Sequence, residues 1–147
     1  MDPYLFKQSV HKDFHYTLSL ILDFLKDKYG EDEMVSMIKD VARVVYAPLI
    51  KDLKEKGLME IEDHIKKVMQ LEDGKYEVKK SNGAVIFNVK KCPAISYMND
   101  KKMKISENFC KMTTKLILGE IAKAAGYKFS VDYNQNKGKC VQKFWKE

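Results

Sequence analysis

The chain has 147 residues, 45% of them apolar and 33% charged, with only seven glycines and three prolines. That length and mix support a single domain with a real core and argue against long disordered tails. Net charge is +6, from 27 Lys+Arg against 21 Asp+Glu, yet Arg43 is the only arginine. Readers of nucleic acid usually rely on arginine for bidentate contacts, so this balance describes a solvated lysine-rich surface with no nucleic-acid partner. Such a surface can still draw in a small anion. No run of eighteen apolar residues occurs, so no membrane span is expected. The start, Met1-Asp2-Pro3-Tyr4, lacks the order of a signal peptide, and three cysteines is an odd count. Together these predict a cytoplasmic protein with reduced thiols.

In chain order, Phe14, Leu18, Ile21, Leu22 and Leu25 recur at helical steps between Val10 and Tyr29, with Ser9 as N-cap and Gly30 as the stop. A second helical pattern runs from Glu31 to Lys56 on Met34, Ile38, Val41, Val45, Leu49 and Leu53. Pro48 should kink or split it near Val44, because proline removes a backbone donor and clashes with the preceding turn. A third helix fits Leu58 to Gln70. Alternation then predicts strands over Lys75–Lys80 and Ala84–Lys91, joined at Ser81-Asn82-Gly83, where Asn-Gly accepts positive φ. Cys92-Pro93 ends the second strand, and 94–105 reads as a loop. Ser106 is a further N-cap, opening a helix that stops at Gly126. Tyr127–Tyr133 and Lys139–Trp145 complete a second hairpin around 134–138.

The fold class is therefore α+β. Three N-terminal helices (1–72) precede a hairpin–helix–hairpin unit (73–147), whose four strands form a mainly antiparallel sheet with helices packed on it.

Cys110 falls in the first turn of the last helix, where unpaired amides and the helix dipole favour a thiolate. It is equally a small core residue beside Phe109 and Met112. Cys92 closes strand two and Cys140 opens strand four, in phase with Gln142 and Phe144, so both can face the head of that helix. Three thiols there would make a nucleophile with supporting groups, or with His15 a zinc or copper ligand set. His11 and His15 form an i,i+4 pair suited to acid–base work or metal binding, although Lys12 stands where a zincin has Glu. The alternative is two ordinary helix histidines. His64 stands among charges and reads as solvated. Tyr97, Tyr133 and Gln142 lie near the cysteines in sequence or strand phase and could orient a substrate.

Cys92-Pro93-Ala94, Ser106-Glu107-Asn108-Phe109-Cys110, Ala125-Gly126-Tyr127 and Gly138-Lys139-Cys140-Val141-Gln142-Lys143-Phe144 resemble the L-2-amino-thiazoline-4-carboxylic acid hydrolase family, a group of small bacterial proteins. His11-Lys12-Asp13-Phe14-His15 and Tyr29-Gly30-Glu31 share the likeness. The resemblance implies hydrolytic opening of a sulfur-containing ring, with the family's cysteine at Cys110. Many relatives place an acid three residues later, where this chain has Thr113. The closing Gly-x-Cys-x-x-x-Phe is also similar to ligand-sensing domains of the 4-vinyl-reductase type, which bind without turnover.

The sequence thus predicts a hydrolase of a small C–N or C–S substrate, with Cys110 as nucleophile and His11 or His15 as base. Cys92, Cys140, Tyr97, Tyr133 and Gln142 would line the pocket, and nearby lysines would attract a carboxylate. No cofactor is required. The alternative is a metal- or ligand-binding domain. The first helix is long enough to pair with a second copy.

Overall fold

The computed structural model describes residues 12–146, which places His11 and the expected Ser9 cap outside the described residues. Helix α1 (Asp13–Tyr29) ends at Gly30, and α2 (Glu31–Val45) follows directly. The Pro48 signal is met by a break at Tyr46. The pattern resumes as α3 (Ala47–Lys56), with the proline in the first turn, where its missing N–H costs nothing. Gly57 separates α3 from α4 (Met59–Glu72), so among the described residues four helices precede the sheet where the sequence predicts three. Asp73, with φ of 62°, closes α4 in the left-handed region.

Strands β1 (Lys75–Ser81) and β2 (Ala84–Lys91) form the first hairpin, its turn closed by Gly83 at φ 69°. Strands β3 (Lys128–Asn134) and β4 (Lys139–Trp145) form the second. The two hairpins join through their second strands. The order is β1-β2-β4-β3, antiparallel throughout, with Phe87 opposite Gln142 and Val89 opposite Cys140. An α+β architecture with its helices mainly N-terminal is what the change of period predicts.

Segment 94–105 departs from expectation. Pro93–Asp100 is a helix, α5, with extended Cys92 before it and proline at its first position. The same proline that stops a strand is favourable at helix position one, and Ala94, Ile95 and Met98 supply a buried face.

One face of the sheet is apolar. Tyr76, Phe87, Phe144 and Phe129 form an aromatic row across all four strands, with Phe87 and Phe144 edge-to-face at 6.4 Å. Helix α6 (Leu118–Ala125) and the π-helical segment before it, Lys111–Ile117, pack on the β3 side. The sole arginine serves this core: Arg43 of α2 donates to the buried Glu120 of α6 at 3.0 Å. Among the described residues, no helix is long and apolar enough to cross a membrane.

Phe87 is fully buried at the centre of the row. Phe87→Ala should cost about 3–5 kcal/mol, read as a lowered urea midpoint. A loss under about 1 kcal/mol would mean that the row does not carry the core.

Candidate functional site

Helix α1 turns a partly polar edge inward. The sequence stripe is only half right: Phe14 and Ile21 lie exposed, while His15, Ser19 and Leu22 are buried. His15, Ser19 and Asp23 stand four residues apart in one helical row, and each has a partner from a distant element. His15 Nε2 meets Glu72 Oε1 at 2.5 Å. Ser19 Oγ accepts from the Ser106 amide at 2.7 Å, and Ser106 Oγ donates to Asp23 Oδ1 at 2.5 Å. Lys12 Nζ donates to the Glu72 carbonyl, one of the acceptors a helix end leaves unpaired. These bonds fix the rotation of α1 about its axis.

That rotation places His15 in the wall of a cavity of about 410 Å³, within the range of small-molecule sites. Helix α4 supplies one side, since His64, Val68 and Glu72 recur at four-residue steps and all line it. The eight steps from His64 to Glu72 span about 12 Å of axis. Tyr46 comes from the break between α2 and α3, and Gln142 from β4. Phe109, Thr113 and Leu118 also line the cavity, a spacing of four and five that an α-helix would spread around its surface. The wider π turn gathers them on one side.

The polar groups are few. Tyr46 meets His64 edge-on with ring centroids 6.0 Å apart. Burial, and then the Glu72 charge, hold the Tyr46 phenol above its ordinary range. Burial, and then Lys67, push His64 below its usual value, so it is neutral at neutral pH. The solvated His64 that the sequence suggests is thus corrected to a half-buried wall residue. Gln142 Nε2 donates to Cys140 Sγ at 3.4 Å, while its Oε1 is buried with no partner among the described residues.

The thiols gather elsewhere, as strand phase predicts. The Cys92 amide donates to the Gly138 carbonyl at 2.8 Å, which ties the end of β2 to the start of β4. All three cysteines are unbridged, and Cys92 and Cys140 are near enough to act electrostatically on Cys110. None of the three lines the cavity. Ser106 stands in the turn before the helix, which starts at Phe109 and not directly after Ser106 as the sequence suggests; its Oγ accepts from the Asn108 amide at 3.2 Å. The activated Cys110 thiolate does not follow. Burial first, then Cys92 and Cys140, push its thiol up to about 12. The Cys110 amide, one of the donors that would favour a thiolate, is taken by Gln135 Oε1 at 2.9 Å. Cys140 rises to about 11 through burial. Burial also raises Cys92, although the Ala94 and Ile95 amides at the head of α5 work against it without reaching capping distance.

Among the described residues, no group of three His, Cys, Asp or Glu side chains is arranged to hold a metal ion. Tyr97 lies half-buried on α5 and Tyr133 half-buried opposite Cys140, and neither lines the cavity. The structure therefore unites two of the sequence candidates, His15 and Gln142, and leaves Cys92, Cys110 and Cys140 as a separate group. Sequence reasoning misses Glu72 and Tyr46. The one available signal is the spacing of His64 and Glu72 on a single face of α4. No family model matches this chain, and no curated protein matches it either.

Raised thiols couple folding to pH with a definite sign. Unfolded Cys110 ionises near 9.0 and folded Cys110 near 12. Its contribution to stability is therefore complete below pH 9.0 and lost as pH rises towards 12. The urea midpoint should fall between about pH 8 and pH 10, and fall less in Cys110→Ala. Native Cys110 should react with iodoacetamide far more slowly than the unfolded chain. Fast native alkylation at neutral pH would contradict the burial argument.

Proposed function

We propose that this chain takes a small organic molecule into the cavity and that His15, braced by Glu72, moves a proton on it. The observation that carries the reading is a buried histidine–carboxylate pair in the wall of a mostly apolar cavity. With Nε2 held by Glu72, Nδ1 is the ring nitrogen that can exchange a proton with a ligand. The orienting carboxylate is the arrangement that makes a histidine an efficient general base.

The sequence resemblance suggests the reaction class, hydrolysis of a C–N or C–S bond in a small heterocycle or amide. In that reaction His15 Nδ1 takes a proton from water as the water oxygen attacks the electrophilic carbon. The electron pair of the breaking bond moves onto the leaving nitrogen or sulfur, which the imidazolium then protonates. Cys110 is the weaker nucleophile, because its sulfur is buried, protonated and outside the cavity wall. The same cavity without turnover describes a ligand sensor, the second reading that the sequence raises.

Turnover of thiazoline carboxylates and of small neutral lactams tests the proposal. His15→Gln should lower kcat by about 10²–10⁴-fold. Glu72→Gln, which loses the brace and keeps the shape, should lower kcat with little change in KM. Cys110→Ala should stay within about twofold of the parent. The reverse pattern, with Cys110→Ala inactive and His15→Gln active, would return the chemistry to the thiol. Ligand binding at the cavity without turnover of either class would establish the sensor.

A further inference from the structure

Helix α1 has two faces, and the outer one is out of keeping with water. Its buried residues, His15, Ser19 and Leu22, share one side. Before its last residue, Tyr29, the exposed positions of α1 are 13, 14, 17, 20, 21, 24, 27 and 28. Turning about 100° per residue, the helix gathers them in an arc of roughly 140° opposite the buried side. A solvated helix face is ordinarily polar. Here Phe14, Leu20, Ile21 and Phe24 are each 45–54% exposed. A contiguous apolar strip of this kind marks a binding surface.

The order of residues along the strip indicates what covers it. The eight exposed positions map onto themselves when each number i is replaced by 41 − i. Asp13 then answers Lys28, Phe14 answers Asp27, Thr17 answers Phe24, and Leu20 answers Ile21. An antiparallel copy of the same helix meets that rule, because a two-fold axis between Leu20 and Ile21 exchanges the two members of every pair. The charges agree. The first turn is acidic at Asp13 and the last is basic at Lys28, so an acid meets the partner's base at both ends of the strip. A parallel copy would instead set Asp13 against Asp13 and Lys28 against Lys28. Antiparallel helices also place opposite ends of their dipoles side by side. Between the ends, each Phe24 faces a small threonine, a large side chain against a small one. Lys28 Nζ already lies over the Phe24 ring at 5.3 Å, so the cation and the aromatic that would meet the partner stand together.

We infer that α1 pairs antiparallel with α1 of a second copy of this chain through this strip, forming a two-fold dimer. This pairing does not depend on what the cavity binds. One pair of helices is smaller than a standard interface, so the dimer should dissociate in the micromolar range.

Sedimentation equilibrium of the full chain across micromolar concentrations should show monomer and dimer in exchange. Phe24→Glu should raise the dissociation constant at least about thirtyfold, the loss typical of an interface hot spot. Its circular dichroism should match that of the parent, because residue 24 faces away from the core. Asp13→Lys and Lys28→Asp should each raise the constant about three- to tenfold, since each sets like charges together at both ends of the strip. The two changes combined should bring it back to within about threefold of the parent. Within one chain these residues lie about 22 Å apart along the helix, beyond the reach of screened surface charges. Rescue therefore comes only from a contact between copies.

A chain that stays monomeric throughout overturns the pairing. A dimer that Phe24→Glu leaves intact also overturns it, because another surface then makes the contact. A dimer that the charge reversals weaken singly and weaken further together overturns the antiparallel arrangement.

Discussion

The fold depends on finding a partner for every polar group on the inner edge of α1. A helix that buries His15 and Ser19 and tucks in Asp23 cannot rest on hydrocarbon, because each unpaired group would cost about 1–3 kcal/mol. The partners come from Glu72 at the end of α4 and Ser106 at the head of the last helical segment, 57 to 87 residues away. A rotation of α1 by one residue would break all of these bonds together. The histidine is therefore held by a row of bonds along its helix, the kind of support a working proton-transfer group requires.

Two opposing effects meet at the cysteines, and their sizes decide the outcome. A helix terminus favours an exposed anion by about 0.3–1 kcal/mol. Loss of water around a buried sulfur is larger and has the opposite sign. At Cys110 the amide that would favour a thiolate is spent on Gln135, and two further thiols stand close by. Cys92 is the cysteine toward which backbone amides point, and even there burial prevails. Position in a helix is thus a poor guide to thiol chemistry without knowledge of what covers the sulfur.

Local signals in the sequence are read well wherever the chain itself contains the cause. Asn82-Gly83 marks a turn, Val85, Phe87 and Val89 alternate, and Pro48 interrupts a helical stripe, so strands, hairpins and the helix break are legible. Pro93 is ambiguous because the same ring ends a strand and begins a helix. The π turn leaves no periodic signature, since it changes the step for barely two turns. The site is less legible still. His15 and Gln142 stand out as a histidine on a helix face and an amide in core phase. Glu72 looks like an ordinary last residue of a helix, and Tyr46 like an ordinary aromatic, until packing brings α1, α4 and β4 around one space.

The joining of the hairpins through β2 and β4 has a consequence for how the molecule is made. During synthesis helices α1 to α4 and the first hairpin emerge before any partner exists for the inner edge of β2. That edge, carrying Val85, Phe87 and Val89, stays open until β4 has left the ribosome. The same late strand brings Gln142. The nascent chain therefore completes its sheet and the β4 part of its cavity wall together, and until then β2 keeps one edge without a partner strand.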